Sequence, residues 1–106
     1  MIVTGSDDMI AKLWKTETRE LIRTFQGHIN KIYSVCFSYD ADMIITGSWD
    51  KTAKLWKTET GELIRTFQGH AYFINSVCFS HDADLIVTGS SDMTAKLWKV
   101  YFLVND

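Results

Sequence analysis

Proline is absent from this chain, cysteine occurs twice, and neither sign of charge prevails: 11 Lys and Arg stand against 13 Asp and Glu, a net charge of -2. Without proline, turns fall to Gly, Asn, Asp, Ser and Thr. Without a basic excess the surface lacks the concentrated positive field that phosphate binding needs. That argues against nucleic acid or an anionic membrane as the main target. Cys36 and Cys78 stand 42 residues apart, at matched positions of a repeating pattern. They read as a repeated small apolar packing residue, with no disulfide or metal role, and this usage suits a reducing compartment. Long apolar runs are also missing: Val100 to Val104 is far too short to span a bilayer. The N-terminus has no basic stretch followed by an apolar run and a cleavage site. A soluble, intracellular (cytoplasmic) protein is the expectation. What the chain does have is 46% hydrophobic and 13% aromatic residues, ample for a packed core and against disorder.

Those residues repeat. Thr4-Gly5-Ser6, Thr46-Gly47-Ser48 and Thr88-Gly89-Ser90 fall in register at an offset of 42, as do Asp8, Asp50 and Asp92, and Trp14, Trp56 and Trp98. Gly27-His28 and Gly69-His70 keep the same offset. A period of this size means stacked supersecondary units, none able to bury its apolar faces alone. Within residues 29 to 70 the pattern is strand, turn, strand. Ile32 to Phe37 is β-branched and aromatic and ends in the polar turn Ser38 to Asp42. Met43 to Gly47 is nearly continuous in apolar residues, as a strand covered on both faces would be. Thr52 to Trp56 alternates, with Ala53 and Leu55 on one face. Gly61 is free to take positive φ in the next hairpin, and Leu63 to Gln68 is the last strand, where Arg65 suits a guarded outer edge. A helix over Met9 to Arg23 is favoured by residue propensity alone, but the Thr-Glu-Thr break and the two-residue alternation point to strands there as well.

The set Gly27-His28, Ser48-x-Asp50-x-Thr52 and Leu55-Trp56, repeated as Gly69-His70, Ser90-x-Asp92-x-Thr94 and Leu97-Trp98, resembles the WD40 repeat family. The resemblance covers the chain to Lys99. It implies an all-β fold of four-stranded antiparallel propeller blades around a central channel, with about three blades in this chain and so an incomplete ring. On this reading residues 1–28 are a partial repeat, 29–70 a complete one and 71–106 a repeat with a divergent last strand. Two departures stand out: Lys15, Lys57 and Lys99 replace the usual Asp after the tryptophan, and Tyr39 or His81 replaces the usual turn proline.

The resemblance also implies a structural hydrogen-bond network. His28 would join a hydroxyl of the second strand, Thr46 or Ser48, to Asp50, with the Trp56 indole as a further donor; His70, Thr88 or Ser90, Asp92 and Trp98 would repeat it. Each buried polar atom costs about 1–3 kcal/mol if left unpaired, so the members depend on one another. Ser, His and Asp together also suggest a hydrolase. No Gly-x-Ser-x-Gly elbow occurs, however, and the set recurs at the repeat period, whereas an active site would occur once. The expectation is therefore a non-enzyme with no cofactor and no metal; His81, without a repeat partner, reads as a solvated turn residue.

Where the copies differ is where a partner is free to bind. After each Gly-His, Ile29-Asn30-Lys31 becomes Ala71-Tyr72-Phe73, and Tyr33 becomes Asn75; before each network Asp stands Asp7, Trp49 or Ser91. Both turns open on one rim, which in WD40 proteins most often binds partners. Lys31, Tyr33, Trp49, Tyr72 and Phe73 are the candidate contact residues, since exposed aromatics with a lysine nearby have the composition of an interface core. The alternative is that Tyr72 and Phe73 cover the loop or the next blade. The function expected is an interaction scaffold for a protein or peptide. The alternatives are a head-to-tail homo-oligomer that closes a ring, and a fragment of a longer array. The run Val100 to Val104 is a candidate outer strand of the last blade.

Overall fold

The computed structural model describes residues 1–100. All regular structure among them is strand: β1 (Ile2–Thr4), β2 (Ile10–Trp14), β3 (Leu21–Gln26), β4 (Ile32–Phe37), β5 (Met43–Ser48), β6 (Thr52–Lys57), β7 (Leu63–Gln68), β8 (Ile74–Phe79), β9 (Leu85–Ser90) and β10 (Ala95–Lys99). They form three antiparallel meanders, β1-β2-β3, β4-β5-β6-β7 and β8-β9-β10. The middle sheet has the four strands of a WD40-type blade and its neighbours three each among the described residues, which form an open arc with no closed barrel. The segment Met9 to Arg23 is β2, a turn and the start of β3, because Ala11 and Leu13 must both face the next sheet, which a two-residue period allows.

The turns follow from local chemistry. Between β5 and β6, Lys51 takes φ 76° while its N–H donates to the Ser48 carbonyl at 3.2 Å; Met9 and Met93 repeat this at 71° and 72°. Gly61 takes φ 78° in the β6–β7 hairpin, where the first copy places Arg19 at φ 63°. The left-handed region costs a side-chain-bearing residue about 1–2 kcal/mol, so the hairpin sequence around Arg19 holds its shape against that strain.

Each sheet has two unlike faces, and the joints between sheets are built from one of each. On one face of the middle sheet, Ile32, Ile44 and Trp56 receive Ala11, Leu13 and Phe25 from the first sheet. On the other, Ile45, Ala53, Leu55 and Phe67 pack on Ile74, Val77, Phe79, Ile86 and Val100 of the third. β5, buried through both joints, accounts for the continuous apolar run in its sequence. Gly47 keys the second joint: a Cβ there would stand 2.7 Å from both Ile74 Cγ2 and Val77 Cγ1, too close for any other residue without displacing the next strand. The two outer faces of the arc are open. Ile45 and Leu55 are fully buried, whereas their counterparts Val87 and Leu97 in the third sheet are 41% and 65% exposed. At the other end Ile2 is 50% exposed where Ile44 is buried. Both cysteines are free thiols; Cys36 is half-buried against the second joint, while Cys78 on the open face is exposed.

The expected outer strand at Val100 to Val104 needs correction at its start. Val100 is buried and its N–H donates to the Asp84 carbonyl at 2.9 Å, as Thr58 N–H donates to Asp42 at 3.0 Å. Val100 is therefore the counterpart of the turn residue Thr58, ahead of the position where β7 begins, because the 42-residue offset carries Thr58 there. Residues 101 to 104 lie outside the described residues.

Candidate functional site

The hairpin and the inter-sheet loop that carry the repeated polar residues meet at one end of each sheet, so their side chains converge. In the middle sheet Asp50 Oδ2 lies 2.7 Å from His28 Nδ1, and His28 Nε2 lies 2.7 Å from Thr46 Oγ1. Trp56 Nε1 donates to the same Thr46 oxygen at 2.9 Å. The Asp50 carboxylate can only accept, so Nδ1 carries a proton. With the neutral imidazole, the indole then donates to Thr46, Thr46 to His28, and His28 to Asp50, in one direction along the chain of bonds. The third sheet repeats the arrangement, with His70 2.9 Å from Asp92 and 2.7 Å from Thr88, and Trp98 2.9 Å from Thr88.

Thr46, not Ser48, is thus the hydroxyl of the network, and Thr88, not Ser90, its counterpart. Ser48 sits at the strand end, where its hydroxyl donates to the Lys31 carbonyl at 2.8 Å and accepts the Asp50 N–H at 3.0 Å. Ser90 does the same with Phe73 and Asp92, at 2.7 and 3.0 Å. The serines fasten the loop and the aspartate's turn, while the threonines, two residues earlier on the same strand face, lie under the imidazole. A residue missing from the expected set is Thr52: its N–H and hydroxyl both donate to Asp50 Oδ1, as Thr94 does to Asp92. Its recurrence in Ser-x-Asp-x-Thr was the available signal.

Burial alone would raise the Asp50 carboxyl, but hydrogen bonds from His28 and Thr52 outweigh it and hold the group far below the ordinary carboxylate range. At Asp92 the Thr94 hydroxyl has the largest effect, and with His70 and the Ala71 N–H it lowers the group in the same direction against partial burial. Each aspartate is held as an anion by several donors. Thr46 and Thr88 are fully buried, so neither hydroxyl is presented to a substrate. Among the described residues no group of His, Cys, Asp and Glu is arranged to hold a metal ion.

Next to the networks, the structure brings all five rim candidates into one patch. Trp49 stacks on Tyr33, with centroids 5.5 Å apart at 25°, and on Phe73 at 4.6 Å and 11°. Tyr72 adjoins Phe73 at 4.4 Å. Lys31 Nζ lies 5.0 Å from the Trp49 ring centroid and 3.9 Å from Asp7 Oδ2. The column therefore runs across the joint between the middle and third sheets and reaches the first through Asp7. Tyr33 and Tyr72 are the exposed ends, while Trp49 and Phe73 are half-buried within the column. The Trp49 Nε1 is buried without a hydrogen-bond partner. At the matched positions of the third sheet the contact is polar instead, Asn75 Nδ2 donating to Ser91 Oγ at 2.7 Å. Asp7 occupies the position of Trp49 in the first copy, so the variable site before each network aspartate also held this ion-pair partner.

A cleft of about 830 Å³ opens between the first two sheets at the opposite end from the rim. Arg23 on its wall donates to the Thr58 carbonyl at 2.9 Å, and the Thr58 hydroxyl is buried without a partner where the next copy has Val100. His81, expected to be solvated, is exposed and packs beside Tyr39 at 4.9 Å at this same end.

The family model for the WD domain, G-beta repeat matches residues 19–57 and 61–99. Each match starts on or just ahead of the outer strand of one sheet and ends on the third strand of the next. Coatomer subunit beta'-2 of Arabidopsis thaliana is 42% identical over 36 residues, covering 34% of this chain and 4% of that protein. A bromodomain and WD repeat-containing protein of Dictyostelium discoideum is 46% identical over 37 residues, covering 35% of this chain and 2% of its own length. A probable E3 ubiquitin ligase complex SCF subunit of Talaromyces stipitatus is 41% identical over 34 residues, 32% of this chain and 5% of that protein. The match thus spans no more than 5% of the length of these relatives.

Proposed function

The chain belongs to the WD40 repeat family, and from that premise we propose that it works as an interaction scaffold that holds a protein or peptide partner on the rim turns. WD40 repeats are in general non-enzymatic and serve protein interaction, and one similar protein is described as a subunit of a ubiquitin ligase complex. The observation that carries the finer reading is the aromatic column with Lys31 at its side. Tyr33 and Tyr72 offer apolar ring faces and hydroxyls on a rigid base, with few rotamers to freeze on binding. Two free thiols fit a reducing setting, so an intracellular location is part of the proposal.

Replacing Tyr33 and Tyr72 by Ser tests it, because both side chains are exposed and outside the networks. Melting is expected to stay within a few degrees, while partner affinity, measured by quantitative capture from cell extract, falls by about tenfold or more, as for hot-spot aromatics. Leu97→Ser, on the far open face, is the control. Equal loss in the control, or no loss in the double variant, sinks the rim reading.

The open faces favour a second reading, assembly of copies head to tail, since Leu97 and Val87 present at one end what Leu55 and Ile45 bury inside. Light scattering on a sizing column is expected to give a discrete oligomer if copies close a ring; a monomer rules this out.

A further inference from the structure

The cleft between the first two sheets, at the far end from the rim, carries a hydroxyl that nothing answers. Thr58 lines it and is buried; its N–H donates to the Asp42 carbonyl at 3.0 Å and its carbonyl accepts from Arg23 Nη1 at 2.9 Å. Only the side-chain hydroxyl is left without a partner. Packing does not require that hydroxyl. The next repeat has Val100 at the matching place, buried in the second joint, where Met43, Ile64 and Ala83 pack against the same cluster. A threonine of the same shape leaves a donor and an acceptor dry, and in a native fold such a group calls for a partner. Arg23 is the second anomaly. Its guanidinium is half-buried, is bonded to a neutral carbonyl, and forms no ion pair with a carboxylate among the described residues. Its stem crosses Gly61, where a Cβ would stand 2.9 Å from Arg23 Cδ, so the glycine leaves room for the arm and fixes it at the cleft. A cation drawn out of water is costly until an anion meets it. At the lip, Asp40 turns its carboxylate to the Ser38 hydroxyl and the Asp42 N–H. Asp42, Lys57 and Glu59 are exposed there, where water and salt screen them.

We propose that this cleft binds a small carboxylate carried on an aliphatic body, a fatty acid or the apolar end of a peptide. The head accepts from the Thr58 hydroxyl and from the remaining N–H groups of Arg23, and the body lies on Leu13, Ile22, Met43 and Ile64, which form the apolar walls. A carboxylate supplies both things the cleft lacks, an acceptor for a buried hydroxyl and a countercharge for the guanidinium, and charge-assisted bonds of this kind are the strong ones. The volume of about 830 Å³ lies within the range of small-molecule sites, about 300–1,000 Å³. The second joint offers no equivalent. Val100 has no hydroxyl, and Arg65, the counterpart of Arg23, is exposed with its guanidinium 5.2 Å from the Phe67 ring centroid. The difference comes from the residue at position 58, in a hairpin whose strands β6 and β7 are both in place.

The test titrates octanoate into the whole chain, with calorimetry for affinity and heteronuclear NMR for location. Saturable binding is expected, with the largest shifts at Arg23, Thr58 and Ile64, while octylamine, of the same length and opposite charge, binds about tenfold more weakly or less. Thr58→Val copies the next repeat. It should melt no lower than the unaltered chain, since an unpaired buried hydroxyl is gone, yet bind octanoate about tenfold more weakly, the scale of a hydrogen bond to a charged group. A merely structural threonine would not separate those two readouts. Arg23→Gln should lose the preference for octanoate over octylamine. Tighter binding of octanoate than of N-acetyl-leucine assigns the site to a fatty acid, and the reverse order to a peptide end; either supports the carboxylate. Equal binding of octanoate and octylamine to the unaltered chain overturns the proposal, as apolar adhesion only. So does unchanged octanoate affinity in Thr58→Val, or the absence of saturation. None of these outcomes touches the rim, which the Tyr33 and Tyr72 variant addresses separately.

Discussion

Replacing Trp56 by alanine is expected to destabilise the chain by about 3–5 kcal/mol, the range for deleting a fully enclosed aromatic side chain. The indole is 2% exposed, meets Phe25 of the first sheet edge-on at 5.6 Å and donates to Thr46. It also fills the space over Gly27, where a Cβ would stand 3.1 Å from the ring. Removing it opens a cavity in the first joint and leaves a network hydroxyl short of a donor. The chain provides its own control, because Trp14 occupies the same repeat position with the same indole bond but lies on the open face, half-buried. Trp14→Ala should cost about 1 kcal/mol, since most of its surroundings are already solvent. Urea unfolding of both variants measures the difference. Equal losses would mean that the sheets do not stack as described.

His28→Ala is expected to cost about 2–3 kcal/mol, because it takes one buried hydrogen-bond partner from each of Thr46 and Asp50. The double substitution with Asp50→Ala should cost clearly less than the sum of the two single changes, as members of one network do. Acid should reveal the same dependence. Asp50 is held below its ordinary value in the folded chain, so its contribution is complete above the unfolded carboxylate value of about 3.9 and is lost as pH falls below it. Thermal melts between pH 7 and pH 2 should therefore fall steeply below about pH 4, and less steeply for His28→Ala. An identical acid profile in the variant would show that His28 does not hold the carboxylate.

Much of this was legible because the chain states its pattern more than once. The strands of the middle sheet and the joining of His28, Asp50 and Trp56 follow from matched spacing and from the alternation of Ala53 and Leu55. The choice between Thr46 and Ser48 was not legible, since residues two apart on a strand share a face and both carry a hydroxyl. Only the distance of the loop carbonyls of Asn30 and Lys31 from each separates them. The rim patch was readable as drift between copies, but not as a column, because the contact between Trp49 and Phe73 depends on how two sheets sit beside one another. The place of Val100 was not legible, because the β-branched and aromatic run Val100 to Val104 resembles a strand, while the repeat offset puts Val100 at a turn.

The way the repeats straddle the sheets has a further consequence. The outer strands β3 and β7 have the same sequence, Leu-Ile-Arg-Thr-Phe-Gln, and each is carried at the head of the repeat whose remaining strands belong to the following sheet. Loss or duplication of one whole 42-residue period would hand a sheet an outer strand identical to the one it gave up. An array stitched in this fashion can lengthen or shorten by recombination without any junction having to be re-evolved, so the number of blades is free to change faster than the blade itself.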